Sequence, residues 1–270
     1  MGVLNGKIAV VTGGSRGIGE MIAAGFLASG AKVYISSRKK EVCDQTAERL
    51  STEYGGTCIS MPSDLSNIEG IDKLVNDISQ KESKLDFLIN NAGAAWGAPI
   101  DEYPENGWDK VMDTNVKGIF FLTQKLLPML RSAAKETPAR VVNIGSIDGL
   151  TSGSFENFAY GPSKAAVHHL TRVLAANLIS ENIIVNAIAP GPFPTWMLST
   201  GVGFGGETEV DWSEVGKANP SGRVGDMKDV ILELMESDIE VEKIPVRPGE
   251  KYDEILINEH EISIDSGQCF

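Results

Sequence analysis

The chain has 270 residues, of which 42% are hydrophobic and 23% charged, and its formal net charge is −13. This length and composition fit one globular domain with a large core. The negative charge disfavours binding to nucleic-acid phosphates, and no apolar run approaches the roughly 18 residues that span a bilayer. We therefore expect a protein that binds neither nucleic acid nor membrane.

The three cysteines, Cys43, Cys58 and Cys269, are scattered along the chain without metal-ligand spacing. An odd number of scattered cysteines is typical of reduced thiols, so we expect neither a disulfide nor a metal. The first residues lead directly into an apolar run without a basic flank or a cleavage signal. The sequence thus predicts a cytoplasmic protein.

Short β-branched runs alternate with segments of helical period. The predicted strands are Lys7–Thr12, Lys32–Ser36, Thr57–Met61, Leu85–Asn90, Arg140–Ile144 and Ile183–Ile188. The predicted helices are Gly17–Ser29, Lys40–Tyr54, Ile68–Glu82, a broken stretch from Trp108 to Ala134, and Tyr160–Ser180. This alternation predicts an α/β fold with a doubly wound, Rossmann-like parallel sheet.

A glycine-rich turn follows the first predicted strand and precedes an apolar helix. Glycines at this place let the backbone turn tightly and bring a pyrophosphate to the helix N-terminus, although a simple tight loop has the same composition. The candidate dinucleotide-binding residues of the turn are Gly13, Ser15, Arg16, Gly17, Ile18 and Gly19.

The second predicted strand ends in basic rather than acidic residues, Arg38-Lys39-Lys40. An arginine here suits the 2′-phosphate of NADP(H), whereas a carboxylate suits the free ribose hydroxyl of NAD. Arg38 and Arg16 together therefore favour NADP(H). The alternative is that the three basic residues are a solvated face that opens the next helix.

Tyr160 and Lys164 lie four residues apart at the start of a predicted helix, so they share one face. An ammonium close to a phenol favours the phenolate, which predicts a tyrosine with a lowered pKa acting as general acid. The spacing alone is weak evidence, because both residues are common on exposed helices. His168 and His169 follow on the same helix, and we expect structural or surface roles for them.

These features occur together with Asn90-Asn-Ala-Gly93, Asn115, Ser146, Tyr160-Gly-Pro-Ser-Lys164 and Pro190-Gly191. The ordered set resembles the motifs of short-chain dehydrogenases/reductases over residues 4 to 228. Within that family the chain looks most similar to 3-oxoacyl reductases of the rhamnolipid-pathway type. The resemblance implies an NADP(H)-dependent oxidoreductase.

The resemblance also implies a role for each matching residue. Tyr160 protonates the substrate carbonyl while Ser146 hydrogen-bonds it. Lys164 lowers the pKa of Tyr160 and binds the nicotinamide ribose, and Asn115 holds a water on a proton relay. The implied cofactor contacts are Asp64 and Leu65 at the adenine, Asn90, Ala92 and Gly93 at its ribose, and Pro190, Gly191 and Thr195 near the nicotinamide. Tyr160 is also an implied cofactor contact, besides Lys164. Asn90 can equally stabilise the sheet, and the two roles are compatible.

Apolar side chains are frequent in the long stretch after Pro190 and next to the Asn-Asn-Ala-Gly turn. They predict a pocket for a 3-oxoacyl or other lipophilic ketone, although such residues also form the small core of a lid. The candidates are Trp96, Phe193, Trp196, Met197, Leu198, Phe204 and Trp212. Two other functions stay open: an alcohol or sugar dehydrogenase acting oxidatively, and a non-catalytic NADP-sensing protein.

The C-terminal segment differs from the rest of the chain. Residues 226–270 contain 13 Asp and Glu against 4 Lys and Arg, a net charge of −9, which leaves −4 for the first 225 residues. Ile244–Ile257 resembles the end of UDP-N-acetylglucosamine 4,6-dehydratases, so we divide the chain into a family domain, 1–228, and an atypical acidic tail, 229–270. The resemblance to short-chain dehydrogenases/reductases implies a homo-oligomer that assembles through the two long helices.

Overall fold

The computed structural model of the chain describes residues 2–151, 156–195, 197, 211–217 and 223–225. Six strands in these ranges form one parallel sheet in the order β3-β2-β1-β4-β5-β6. They are β1 (Ile8–Thr12), β2 (Lys32–Ser36), β3 (Cys58–Ser60), β4 (Phe87–Asn90), β5 (Ala139–Ile144) and β6 (Ile183–Ile188). The predicted doubly wound sheet is therefore confirmed.

Helices connect the strands and cover the sheet. They are α1 (Gly17–Ala28), α2 (Lys40–Tyr54), α3 (Ile68–Ser79), α4 (Glu105–Met112), α5 (Gly118–Ala134), α6 (Tyr160–Leu178) and α7 (Trp212–Lys217). Within the described residues, none of the helices combines the length and the apolar character needed to cross a bilayer.

The alternation of side chains along β1 explains why the strand is apolar throughout. Ile8 and Val10 belong to a core that includes residues of α3 and α5. Ala9 and Val11 point the other way and belong to a core that includes residues of α1 and α2. Because successive side chains of a strand face opposite sides, a sheet covered by helices on both faces needs apolar residues at every position.

The predicted boundaries agree with the structure to within three residues, the usual uncertainty at element ends. Strand β4 begins two residues later than predicted, and α3 ends three residues earlier. The broken stretch resolves into α4 and α5, joined by a π-helical turn at Asp113–Lys117 that contains Asn115. The tail 229–270 and the apolar candidates Trp196, Leu198 and Phe204 lie outside the described residues.

The strand order places a topological switch point at the centre of the sheet. The chain moves outward from β1 to β2 and β3, then returns to add β4 on the other side of β1. Ligands of such sheets bind in the crevice beyond the carboxyl ends of the strands at this point. The fold thus directs attention to the loops that follow β1 and β4.

Candidate active site

A cleft of about 1560 Å³ crosses the carboxyl edge of the sheet at the switch point. Of the predicted site residues, only Asn90 and Asn115 do not line it. Those that line it are Gly13, Ser15, Arg16, Gly17, Ile18, Gly19, Arg38, Asp64, Leu65, Ala92, Gly93, Ser146, Tyr160, Lys164, Pro190, Gly191 and Thr195. The structure therefore brings residues from distant parts of the sequence together along one surface.

The glycine turn after β1 has a backbone that larger residues would not allow. Gly13 has a φ of +66° and Gly17 a φ of +56°, a region that favours glycine. A Cβ at Gly19 would lie 2.3 Å from the carbonyl oxygen of Gly13. Helix α1 begins at Gly17, so the turn brings the N-terminus of this helix to the cleft, where its unpaired N–H groups favour an anion.

Asn91, a residue absent from our predicted site, holds the loop after β4 against the end of β1. Its side chain donates to the Thr12 carbonyl oxygen at 2.9 Å, and its backbone N–H donates to Thr12 Oγ1 at 2.9 Å. The N–H of Ala92 donates to the same hydroxyl at 2.9 Å. Asn91 also lines the cleft. Its position as the second residue of the Asn-Asn-Ala-Gly motif is the sequence feature that marks it as a site residue.

The side chain of Asn90 turns away from the cleft. It is 1% exposed and donates to Asn143 Oδ1 at 2.8 Å and to Thr123 Oγ1 at 3.1 Å. Asn143 in turn donates to Thr171 Oγ1 at 2.9 Å. The side chain thus joins β4 to β5 and α5, as the sheet-stabilising role expects.

The cleft end next to β2 carries hydroxyl and cationic groups. Ser36, Ser37, Arg38 and Lys39 line it, and none of these four is a carboxylate. The hydroxyl of Ser36 is buried and has no hydrogen-bond partner among the described residues. A buried unpaired hydroxyl beside two exposed cations fits a phosphorylated ligand.

Ser146 and Tyr160 meet across the cleft. The Ser146 hydroxyl lies near enough to the Tyr160 phenol to lower its pKa, and its oxygen accepts the N–H of Asp148 at 3.2 Å. The backbone N–H of Ser146 donates to Nε2 of His168 at 3.3 Å. A Cβ on Gly145 would lie 2.3 Å from that nitrogen, so the ring packs directly against the strand end. His168 is therefore a buried structural residue that fixes the backbone of Ser146.

The pKa of Tyr160 differs from the prediction. Burial raises it to about 12, the hydrogen bond from Ser146 opposes that shift, and the charge of Asp148 adds to it. Lys164 does not lower it, because its ammonium lies 5.5 Å from the ring centroid and donates to the Ile144 carbonyl oxygen at 2.7 Å. Burial also lowers the pKa of Lys164 to about 8. Tyr160 is therefore a protonated phenol at neutral pH.

Asn115 is buried behind the cleft wall, with 0% exposure. Its Oδ1 accepts the N–H of Ala94 at 2.7 Å, while its Nδ2 donates to the Ala94 carbonyl oxygen and to Ser163 Oγ, both at 2.9 Å. Both amide hydrogens are used, so the side chain has none to donate to a water. It instead connects the loop after β4 with α6.

The apolar prediction is correct for two of the four candidate residues that the structure describes. Phe193 is 8% exposed and Met197 is 40% exposed, and both line the cleft, together with Ile147. Trp96 and Trp212 do not line it. Trp96 instead packs over Gly107, where a Cβ would lie 2.7 Å from the indole ring.

The chain belongs to the short-chain dehydrogenase family, whose model matches residues 7–201. It is 52% identical over 195 residues to the 3-oxoacyl-acyl-carrier-protein reductase of rhamnolipid biosynthesis from Pseudomonas aeruginosa, covering 72% of this chain and 75% of that relative. This agrees with the resemblance read from the motifs, and the chain is accordingly an oxidoreductase by family.

Two solved structures support the same assignment. The Pseudomonas aeruginosa RhlG/NADP active-site complex matches with a TM-score of 0.78 and 45% identity, over 86% of this chain and 88% of that one. The L-sorbose reductase of Gluconobacter frateurii, complexed with NADPH and L-sorbose, matches with a TM-score of 0.76 and 26% identity, over 86% and 89% of the two chains.

Proposed function

We propose that the protein is an NADPH-dependent carbonyl reductase for 3-oxoacyl compounds or other lipophilic ketones. The observation that carries this proposal is that Ser146, Tyr160 and Lys164 line one cleft together, with the Ser146 hydroxyl close enough to the phenol to influence its pKa. The similarity to a 3-oxoacyl reductase and to a structure complexed with NADP supports the substrate class and the cofactor.

In this proposal Tyr160 donates its proton to the carbonyl oxygen, and Ser146 stabilises the developing charge by a hydrogen bond. A bound NADPH supplies the hydride. The N–H of Asp148 occupies one lone pair of Ser146 Oγ, which leaves the hydroxyl proton free to point towards Tyr160 or the substrate. Lys164 orients the ribose and holds positive charge near the phenol. Asn115 is a positioning residue that acts through Ala94 and Ser163.

The proposed cofactor orientation follows the chemistry of the cleft. The helix N-terminus at Gly17 receives the pyrophosphate. Ser36, Ser37 and Arg38 receive the 2′-phosphate, because a guanidinium binds phosphate through two parallel hydrogen bonds. Asp64 and Leu65 lie at the adenine, Ala92 and Gly93 at its ribose, and Pro190, Gly191 and Thr195 at the nicotinamide end.

The proposed substrate is lipophilic because Ile147, Phe193 and Met197 line the cleft. Pro128 on α5 and Ala176 on α6 are exposed and uncharged. These two places therefore offer no cation to an acidic acyl carrier protein, which disfavours docking there. Simple 3-oxoacyl thioesters are then sufficient substrates.

The experiment that tests the function is an assay of NADPH and NADH oxidation with 3-oxobutanoyl and longer 3-oxoacyl N-acetylcysteamine thioesters. Simple ketones and L-sorbose serve as comparison substrates. We expect turnover of the thioesters with NADPH in preference to NADH. Nucleotide binding without turnover of any carbonyl would favour the sensor alternative, and turnover only of alcohols or sugars with NADP⁺ would favour the oxidative one.

Replacing Arg38 tests the cofactor assignment. We expect Arg38→Gln to lower kcat/KM for NADPH by about 10- to 100-fold, the effect of losing a charge-assisted contact to phosphate, and to change that for NADH little. Arg131→Gln is the matched control, because Arg131 lies on α5 outside the cleft and pairs with Glu181. Equal losses with both cofactors would contradict a contact to the 2′-phosphate.

We further propose a homo-oligomer that assembles through α5 and α6, located in the cytoplasm. Exposed apolar side chains support this surface: Phe120 on α5 is 37% exposed and Val173 on α6 is 44% exposed. Light scattering after size exclusion should give at least a dimer, and Val173→Lys should shift it towards monomer. A wild-type monomer at micromolar concentration would refute this proposal.

A further inference from the structure

Asp148 is a charged residue of the cleft that sequence motifs do not mark. It is the middle residue of a 3₁₀ turn, Ile147–Gly149, that follows Ser146. Its N–H donates to Ser146 Oγ, and the residue lines the cleft with Ser146 and Tyr160. The turn therefore holds a carboxyl group next to the proposed site of proton transfer.

The surroundings leave this carboxylate only a neutral partner among the described residues. Burial raises the pKa of the Asp148 carboxyl, and Asn157, a neutral neighbour that also lines the cleft, opposes that rise. The ion pairs between described residues do not include Asp148. Its negative charge contributes to the raised pKa of the Tyr160 phenol. A carboxylate without an ion-pair partner in a partly desolvated cleft repels other anions, and the ammonium of Lys164 in the same cleft offsets part of that repulsion.

We propose that Asp148 determines substrate specificity by excluding carbonyl compounds that carry an anionic group next to the reacting carbonyl. The reductase is then restricted to neutral 3-oxo esters, thioesters and ketones, and it rejects the free 3-oxo acids that hydrolysis of a thioester releases. This inference rests on the proposed function, because it places the reacting carbonyl at Ser146 and Tyr160.

The magnitude follows from the short distance between the two charges. In a 3-oxo acid only one carbon separates the carboxylate from the ketone carbon, so a ketone held at Tyr160 places the substrate carboxylate in the cleft that Asp148 also lines. At an effective dielectric constant of about 20, repulsion between unit charges at roughly 6 Å amounts to about 100-fold in binding. Screening by solvent reduces the expected effect to about tenfold or more.

The test compares acetoacetate with methyl acetoacetate in the wild type and in Asp148→Asn, which keeps the shape and a hydrogen bond to Asn157. We expect the ratio of kcat/KM for acetoacetate over the ester to rise by about tenfold or more in the variant. Asp101→Asn is the control, because Asp101 is exposed and outside the cleft, and its ratio should equal that of the wild type. An unchanged ratio in Asp148→Asn overturns the inference.

A binding measurement separates this inference from the proposed reductase activity. The dissociation constants of 3-hydroxybutanoate and its methyl ester from the protein–NADPH complex can be followed by NADPH fluorescence without turnover. We expect Asp148→Asn to tighten binding of the anion relative to the ester by a similar factor. If no carbonyl is reduced but this ratio shifts, Asp148 excludes anions from the cleft while the reductase proposal falls. If the ratio is unchanged, or if neither compound binds, the inference falls.

Discussion

Replacing Tyr160 by phenylalanine is expected to lower kcat by about 10²- to 10⁴-fold, the range that a general acid contributes. The phenol is the proton donor of the proposed reaction, and Phe keeps the ring and its packing while removing only the hydroxyl. Because burial raises the pKa of Tyr160 to about 12, the phenol carries its proton at neutral pH. The rate should be measured with a 3-oxoacyl thioester and saturating NADPH.

Two measurements show whether the loss of kcat in Tyr160→Phe arises in the chemical step rather than in cofactor binding. The dissociation constant of NADPH should stay within about threefold of the wild type, because the phenol is one of many cofactor contacts proposed for the cleft. Tyr103→Phe is the matched control: Tyr103 lies outside the cleft and its hydroxyl donates to the Trp96 carbonyl oxygen at 3.1 Å. Full activity in Tyr160→Phe would exclude this residue as the acid.

The sheet could be predicted closely because its signals are local. The six apolar runs and the glycine turn depend on side-chain alternation and on backbone geometry, both of which operate over a few residues. Gly13 and Gly17 illustrate this, since their positive φ values are a property of the turn itself. The carboxyl edge of a parallel sheet then brings Ser146 and Tyr160 to the same crevice as the glycine turn.

The directions of individual side chains could not be predicted, because they depend on the neighbours that the fold brings together. Asn90 and Asn115 are motif residues, yet their amides are directed into buried hydrogen bonds with Asn143, Ala94 and Ser163. A motif fixes which residue is present and leaves open which way it points. Asn91, one position later, is the residue that faces the cleft.

The pKa of Tyr160 could not be predicted from the sequence for a similar reason, because it also depends on the neighbours that the fold brings together. The i, i+4 spacing with Lys164 correctly places both residues in the cleft wall, but the expected lowering assumed that the ammonium faces the phenol. In the structure the ammonium donates to the Ile144 carbonyl oxygen, and burial dominates the pKa of both groups. Desolvation is a property of the whole packed environment, so no spacing rule reveals its size.

Replacing Lys164 by methionine is expected to have the second-largest effect on activity, a fall in kcat/KM of about 100-fold or more, the range seen when a preorganised electrostatic group is removed. Methionine fills a similar volume without the charge. The loss should include weaker NADPH binding, which distinguishes this variant from Tyr160→Phe. A variant that binds NADPH normally and retains full kcat would contradict both proposed roles of the lysine.

The same variant is expected to reveal what the buried ammonium costs in stability. Lys164 is 4% exposed, and burial lowers its pKa in the folded protein from 10.5 to about 8. Between these two values the unfolded chain binds more protons than the folded one, so the free energy of unfolding of the wild type rises with pH by up to about 3 kcal/mol. Lys164→Met lacks this group and therefore lacks that rise.

Urea unfolding of both proteins at about pH 7.0, 8.5 and 10.0 measures the difference between their free energies of unfolding directly. The free energy of unfolding of the variant should exceed that of the wild type most at neutral pH. The Ile144 carbonyl loses its hydrogen-bond partner in the variant, which reduces this gain by about 1 kcal/mol. That advantage should shrink as the pH rises towards 10. Lys135→Met, at an exposed site after α5, should show no such trend. If the difference in free energy of unfolding between Lys164→Met and the wild type is the same at all three pH values, the lysine has the same pKa in the folded and the unfolded chain. The folded protein would then hold the ammonium without the loss of stability expected here.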